Sequence, residues 1–214
     1  MNYQINIGCG KTPTPGWKNF DNSPSIKISK SPLKLRIAKI LRLLSKQQVE
    51  YIEWLKENKI EYADASKRIP LPDNSVKTVY TSHMFEHLSR NEGILFLQEV
   101  KRVLMDNGIL RISVPDLEKY ISRYNKTKNA DEFMEGILVN APPISTLLDK
   151  IKLVYTGYRH HQCMYDGNSL SKLLHSQGFR DVTIQIHGNT LIENSENLNL
   201  HEREEQSVYV EARK

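Results

Sequence analysis

The chain has 214 residues, 39% hydrophobic and 26% charged, which suits one α/β domain spanning residues 1–214 with a buried core. Its net charge of +5 is local: Lys27, Lys30, Lys34, Arg36, Lys39, Arg42 and Lys46 lie between Asp21 and Glu50 with no acid among them, and the other 23 basic residues face 25 acidic ones. That balance argues against a protein that coats nucleic acid. No apolar run nears the roughly 18 residues of a membrane span, and Met1 is not followed by a basic and apolar leader. Cys9 and Cys163 form neither a disulfide framework nor a metal pattern, so a reducing cytoplasm is expected.

In chain order, residues 3–7 read as a short strand that runs into Gly8-Cys9-Gly10. Glycines in such a turn let backbone approach a bound nucleotide closely. Lys11-Thr-Pro-Thr-Pro15 follows, which leaves no room for a regular helix before the next strand, 17–21, ending in Asp21. A third strand, 60–63, leads to Asp64-Ala65, and a fourth, 76–81, leads to Ser82 and His83. Asn91 to Met105 has apolar residues at Ile94, Leu97, Val100 and Leu104, at helical spacing, and Asp106-Asn107-Gly108 reads as a turn with glycine-like torsions that ends the helix. A fifth strand, 108–114, stops at Pro115. Residues 168–177 read as a helix ended by Gly178. Strands 182–186 and 207–212 then close the sheet, the loop 187–206 joining them as an antiparallel pair at its edge.

Strands alternating with helices imply a mostly parallel sheet covered on both faces. Ligands sit beyond the carboxyl ends of such strands, where the loops holding Gly8, Gly10, Asp21, Asp64 and His83 gather. Two segments stand outside the alternation, about 24–58 and 126–166, and both leave from that side, where lids and acceptor pockets arise. The first is amphipathic over 33–46. Leu33, Ile37, Ile40, Leu41 and Leu44 share one face, and Arg36, Lys39, Arg42 and Lys46 lie largely opposite. It reads either as a lid helix docked on the domain or as a helix touching an anionic membrane or a phosphate-bearing acceptor.

Two histidine groups compete for chemistry. His83-x-x-Glu86-His87 has zinc-peptidase spacing, but that reading needs a third ligand and a long helix, whereas this motif directly follows a strand. Glu86 and His87 therefore read as loop anchors, with no metal expected. Arg159-His160-His161-Gln162, with Tyr155, Tyr158 and Tyr165 nearby, reads either as a polar pocket or as an exposed loop.

Several stretches together resemble class I S-adenosylmethionine-dependent methyltransferases, in particular small bacterial enzymes of the type 11 kind often linked to surface-glycan pathways. They are Ile5-Asn-Ile-Gly-Cys-Gly10, Asp21, Asp64-Ala65, Leu71-Pro-Asp-Asn-Ser75, His83-Met-Phe-Glu-His87, Glu99-Val-Lys-Arg-Val-Leu104 and Gly108-Ile-Leu-Arg-Ile-Ser-Val-Pro115. The likeness covers about residues 3–120 and continues more faintly through His161 to Asp166 and from Gly178 onward. It implies a Rossmann-like sheet of seven strands, mostly parallel with an antiparallel edge strand. It further implies S-adenosyl-L-methionine as cofactor, with the Gly8-Cys9-Gly10 loop under its methionine part and Asp21 on the ribose hydroxyls. Asp64 would meet the adenine amino group, the Ala65 N–H the ring edge, and Ser82 and His83 would flank the sulfonium. His161 is the preferred general base and His83 the alternative; a sugar or glycan hydroxyl is the first expected acceptor and a small metabolite the second. The missing further glycine after Gly10 departs from the family pattern and keeps a non-catalytic partner protein as a rival, beside a zinc hydrolase.

Overall fold

The computed structural model describes residues 2–40, 43–138 and 160–214. Seven strands, β1 (Tyr3–Ile7), β2 (Lys18–Asp21), β3 (Glu61–Tyr62), β4 (Val76–Ser82), β5 (Leu104–Pro115), β6 (Arg180–Gln185) and β7 (Ser207–Arg213), form one sheet in the order β3-β2-β1-β4-β5-β7-β6. Pairing is parallel from β3 through β5, and β7 runs antiparallel to both of its neighbours, β5 and β6. The central strands do not alternate between polar and apolar, because both faces are covered: Val76, Val79 and Tyr80 of β4 are buried together with Thr78 and Thr81.

Helices follow where caps and apolar stripes coincide. In α4 (Arg90–Val103), Ser89 and Glu92 form a reciprocal capping box, and Phe96, Leu97, Val100 and Val103 are buried against the sheet. The helix after residue 160, α7 (Gly167–Ser176), has the same device in Asp166 and Ser169 and buries Leu170 and Leu174. Helices α5 (Leu117–Thr127) and α6 (Ala130–Ile137) precede it, with Asp116 and Asn129 as N-caps.

Two expectations change. Strand β5 begins at Leu104 and runs through Asp106-Asn107-Gly108, so that stretch is an irregularity within the strand and not a helix-ending turn. Asn107 takes the left-handed backbone (φ 61°), whereas Gly108 is needed for space, since a Cβ there would lie 2.9 Å from the Met105 carbonyl oxygen. The insertion after β2 holds three helices, α1 (Pro24–Ser29), α2 (Pro32–Ile40) and α3 (Lys46–Trp54), in place of one helix over 33–46. Ser45 starts α3 with its own capping box to Gln48, which breaks the longer amphipathic run. The apolar face of α2 is not docked: Leu33 and Ile40 are 67% and 69% exposed, and Ile37 is exposed beside them. Leu41 and Arg42 lie outside the described residues.

One polar pair sits inside the sheet. Arg111 on β5 is directly opposite Glu211 on β7, both are 0% exposed, and their ion pair measures 2.6 Å. Glu211 also accepts from the Leu191 N–H and the Thr190 hydroxyl, and Arg111 donates to the Asn189 carbonyl, so the loop before β7 is tied to the sheet through this pair.

Candidate cofactor and acceptor site

A cavity of about 800 Å³ opens at the carboxyl ends of β1, β2 and β4. Its wall includes Gly8, Gly10, Asp21, Asp64, Ala65 and His83, so six of the residues marked in the sequence come together although 75 positions separate the first from the last. The size falls within the range of small-molecule and cofactor sites.

The loop after β1 has two left-handed glycines, Gly8 (φ 74°) and Gly10 (φ 51°). A Cβ on Gly8 would lie 2.4 Å from Cγ of Met84, so β-carbon and neighbour could not both stay. At Gly10 a Cβ would meet nothing within 4 Å; its requirement is the backbone torsion, and open space lies in front of it. Asp21, at the end of β2, pins this loop. Its Oδ2 accepts from the Gly10 N–H at 3.0 Å and its Oδ1 from the Ser23 N–H at 2.7 Å. Burial raises its pKa above the usual carboxylate value, against the pull of those two donors. Cys9 sits between the glycines but is buried against Ile26 and Ile60 and is not part of the wall. Burial and the nearby Asp21 charge push its pKa up to about 12, so the thiol stays protonated and unreactive.

Asp64 follows β3. Partial burial works to raise its pKa, but hydrogen bonds from Lys67 Nζ and the Ser66 hydroxyl, both 2.7 Å, outweigh it and hold the carboxyl below its usual value. Ala65 lies beside it on the wall.

The third part of the site is the turn after β4. Ser82 closes the strand without reaching the wall. His83 adopts a left-handed backbone (φ 50°), its N–H donating to the Ser113 carbonyl on β5. Its ring is held with Nε2 2.9 Å from the Ser207 hydroxyl and Nδ1 3.4 Å from Glu86 Oε1. Glu86 and His87 belong to a short 3₁₀ turn, Phe85–His87, so His83 and His87 do not share the face of an α-helix and the zinc-peptidase arrangement is not formed. His161 packs behind this turn, buried, with Nε2 3.8 Å from Glu86 Oε1 and its ring edge-on to His87 at a 5.0 Å centroid distance. Burial lowers its pKa and outweighs the attraction of Glu86. His161 is thus in the site but not on the cavity wall, whereas its neighbour Gln162 is, together with His87. The segment is zipped to the turn by the Gln162 and Cys163 N–H groups, which both donate to the Glu86 carbonyl, and by Gln162 Nε2 to the His87 carbonyl. Tyr165 packs on Phe85 (5.4 Å). Tyr155, Tyr158 and Arg159 lie outside the described residues.

Helix α3 supplies wall residues that the sequence reading did not single out: Gln47, Gln48, Glu50 and Tyr51. The Tyr51 hydroxyl donates to the Gly10 carbonyl at 3.2 Å, latching the insertion onto the glycine loop. The available signal was the placement of that insertion on the ligand-bearing side of the sheet; no motif marks the individual residues.

A family model described as a methyltransferase domain matches residues 6–112. Among solved structures, the chain is similar to SAM-dependent methyltransferases of Thermotoga maritima (15% identity, 100% of this chain and 83% of that one, TM-score 0.52) and Archaeoglobus fulgidus (15%, 100% and 86%, TM-score 0.52). A third, from Methanosarcina mazei, is 14% identical over 100% of this chain and 92% of its own, with a TM-score of 0.51. A search of curated protein sequences found no match. The family match spans half the chain and contains the glycine loop, Asp21, Asp64 and the whole His83–His87 turn. The chain therefore belongs to the methyltransferase-domain family, in the class I fold whose cofactor is S-adenosylmethionine.

Proposed function

We propose that the enzyme methylates a hydroxyl oxygen of a sugar or glycan precursor. The observation that carries this reading is the meeting of two imidazoles, His83 and His87, with Gly10, Asp21 and Asp64 in one cavity whose wall also carries the polar Gln47, Gln48, Glu50 and Gln162. Such a wall suits a polyhydroxylated acceptor.

The residues present fit the cofactor. A carboxylate offers about four acceptor positions, and Asp21 uses two on backbone N–H groups, leaving lone pairs for a ribose diol. Open space before Gly10 admits the amino-acid end of the ligand, and Asp64 with the Ala65 backbone offers an acceptor and a donor to a purine edge. S-adenosylmethionine, when bound, supplies an electrophilic methyl group on a sulfonium that leaves as a neutral thioether. The protein aligns the acceptor oxygen with that methyl and removes its proton. His83 reaches the wall and is the proton acceptor in this reading, through Nε2, which lies 2.9 Å from the Ser207 hydroxyl. His161 packs behind it across Glu86 and does not reach the wall. A positioned base of this kind speeds transfer roughly 10²–10⁴-fold.

The test is titration calorimetry of the protein with S-adenosylhomocysteine, beside Asp64→Ala, followed by methyl-transfer assays on a panel of sugar and nucleotide-sugar acceptors. Micromolar binding weakened in the variant, with turnover on a sugar hydroxyl, is the expected outcome. Binding without turnover on any acceptor would favour a non-catalytic role, and absence of binding by folded protein would sink the reading.

The exposed apolar edge of α2 supports a further part of the proposal, a peripheral contact with an anionic membrane bearing a lipid-linked acceptor. Leu33, Ile37 and Ile40 face solvent, and Lys34 and Arg36 lie on the same helix. No helix of the described residues is long and apolar enough to cross a membrane. Cys9 and Cys163 are both free thiols, which supports a cytoplasmic site of action.

A further inference from the structure

Glu86 is the least expected residue in the molecule. Its side chain is 1% exposed, and both carboxylate oxygens are without a hydrogen-bond partner among the described residues. The groups within ion-pair distance are the imidazoles of His83 and His161, at 3.4 and 3.8 Å, too far for a hydrogen bond to an imidazole N–H. A buried carboxylate in this state costs several kcal/mol. A cation ligated by the carboxylate would offset that cost.

Two other ligand atoms are in place. His87 Nδ1 lies 3.0 Å from the His160 carbonyl, and a carbonyl only accepts, so Nδ1 bears the proton and Nε2 presents its lone pair. A carbonyl on the far ring nitrogen is the usual device for orienting a metal-bound histidine. His161 is buried beside Glu86, with Nε2 the ring nitrogen that faces it at 3.8 Å. One ligand atom from each of Glu86, His87 and His161 can be chosen so that all lie within 4.8 Å of one another. His83 stays outside this set, with Nε2 2.9 Å from the Ser207 hydroxyl.

We propose that Glu86, His87 and His161 form a site for one divalent transition-metal ion at the wall of the acceptor cavity. Two imidazoles and one carboxylate suit Zn²⁺ or Mn²⁺, and three protein ligands leave coordination positions for water or substrate. Because His87 lines the cavity, an acceptor oxygen can fill one of those positions. Its O–H proton then leaves more readily and passes to His83, and the O–CH₃ bond forms as the methyl–sulfur bond breaks, its electron pair staying on sulfur. This role in transfer rests on the function proposed above; the site itself does not.

The experiment is titration of the full-length, EDTA-stripped protein with MnCl₂ and, separately, ZnCl₂, by calorimetry and by the loss of the free Mn²⁺ paramagnetic resonance signal. Glu86→Gln and His161→Asn are carried alongside, each also titrated with S-adenosylhomocysteine to check folding. One ion per chain is expected, weakened at least about 10-fold in each variant, with S-adenosylhomocysteine binding retained because neither substituted side chain lines the cavity. The trio of exposed His187 and His201 with half-buried Glu204 is the competing site, so His201→Ala is the control. Saturable binding lost in His201→Ala and kept in Glu86→Gln would overturn the proposal. So would the absence of saturable binding of either ion to wild-type protein that binds S-adenosylhomocysteine. Ion binding that depends on Glu86 in a chain that fails to bind S-adenosylhomocysteine would sustain the metal site and sink the methyltransfer reading.

Discussion

Replacing Glu211 by Leu while Arg111 remains leaves a guanidinium at 0% exposure with the Asn189 carbonyl and the face of the Tyr209 ring, 5.1 Å to its centroid, as partners, and with Nε and Nη2 already without hydrogen-bond partners among the described residues. Breaking a buried pair in this way costs about 3–5 kcal/mol, because the surviving charge can neither be solvated nor compensated. For a chain of this size each kcal/mol lowers the midpoint by about 2–4 °C, so the variant should melt roughly 6–20 °C below wild type. Arg111→Met should cost a similar amount, since it strands the Glu211 carboxylate with only the Thr190 hydroxyl and the Leu191 N–H. The double variant Arg111→Met/Glu211→Leu removes both charges and refills the space with apolar atoms. It should therefore recover to within about 1–2 kcal/mol of wild type, a coupling well outside the additive range. Urea unfolding of the four proteins, with midpoint and slope both fitted, measures the cycle. Neither residue lines the cavity, so S-adenosylhomocysteine affinity should hold in every folded variant. Single variants each costing below about 1 kcal/mol, or a double variant equal to their sum, would refute the claim that the pair is held by mutual compensation.

Asp21→Asn should weaken S-adenosylhomocysteine binding about 10–100-fold, the worth of charge-assisted hydrogen bonds to a ribose diol, measured by calorimetry. In wild type that affinity should fall on acidification: burial raises the Asp21 pKa, only the ionised form offers all its acceptors, and the loss should therefore begin at a pH above that expected of an exposed carboxylate. The dependence should flatten in Asp21→Asn. Gly8→Ala should cost about 1–3 kcal/mol and exceed Gly10→Ala, since both force a left-handed alanine but only the first drives a Cβ into Met84; thermal melts of the two variants decide this. Leu33→Ser/Ile40→Ser should abolish co-sedimentation with anionic phospholipid vesicles without altering the melting temperature, because both side chains face solvent.

Local pattern was a good guide wherever the signal was short-range. Strand-ending positions of Gly8, Asp21, Asp64 and His83 could be read because each follows an apolar run, and parallel strands in one sheet must bring those ends to one edge. The helix over 91–105 was legible from spacing alone, its stop less so: Leu104 is apolar at helical spacing, yet pairing with Val76 draws it into β5. The split of 33–46 into α2 and α3 turned on Ser45 and Gln48, a capping box hidden within a longer amphipathic pattern. Tyr51 and the rest of the α3 wall had no motif, since a hydroxyl reaching a carbonyl 41 positions away leaves no trace in spacing.

By itself the sequence determined the fold class and which loops meet, because strand–helix alternation and chirality leave few ways to stack a parallel sheet. Tertiary structure alone decided what the polar side chains inside that frame do. Arg111 reads as one more residue of an apolar strand until β7 places Glu211 opposite it, and Glu86 reads as a loop anchor until His161, 75 residues later, is packed against it. Both depend on pairings between distant segments, whose energies come from desolvation at the point of contact and have no counterpart in local periodicity.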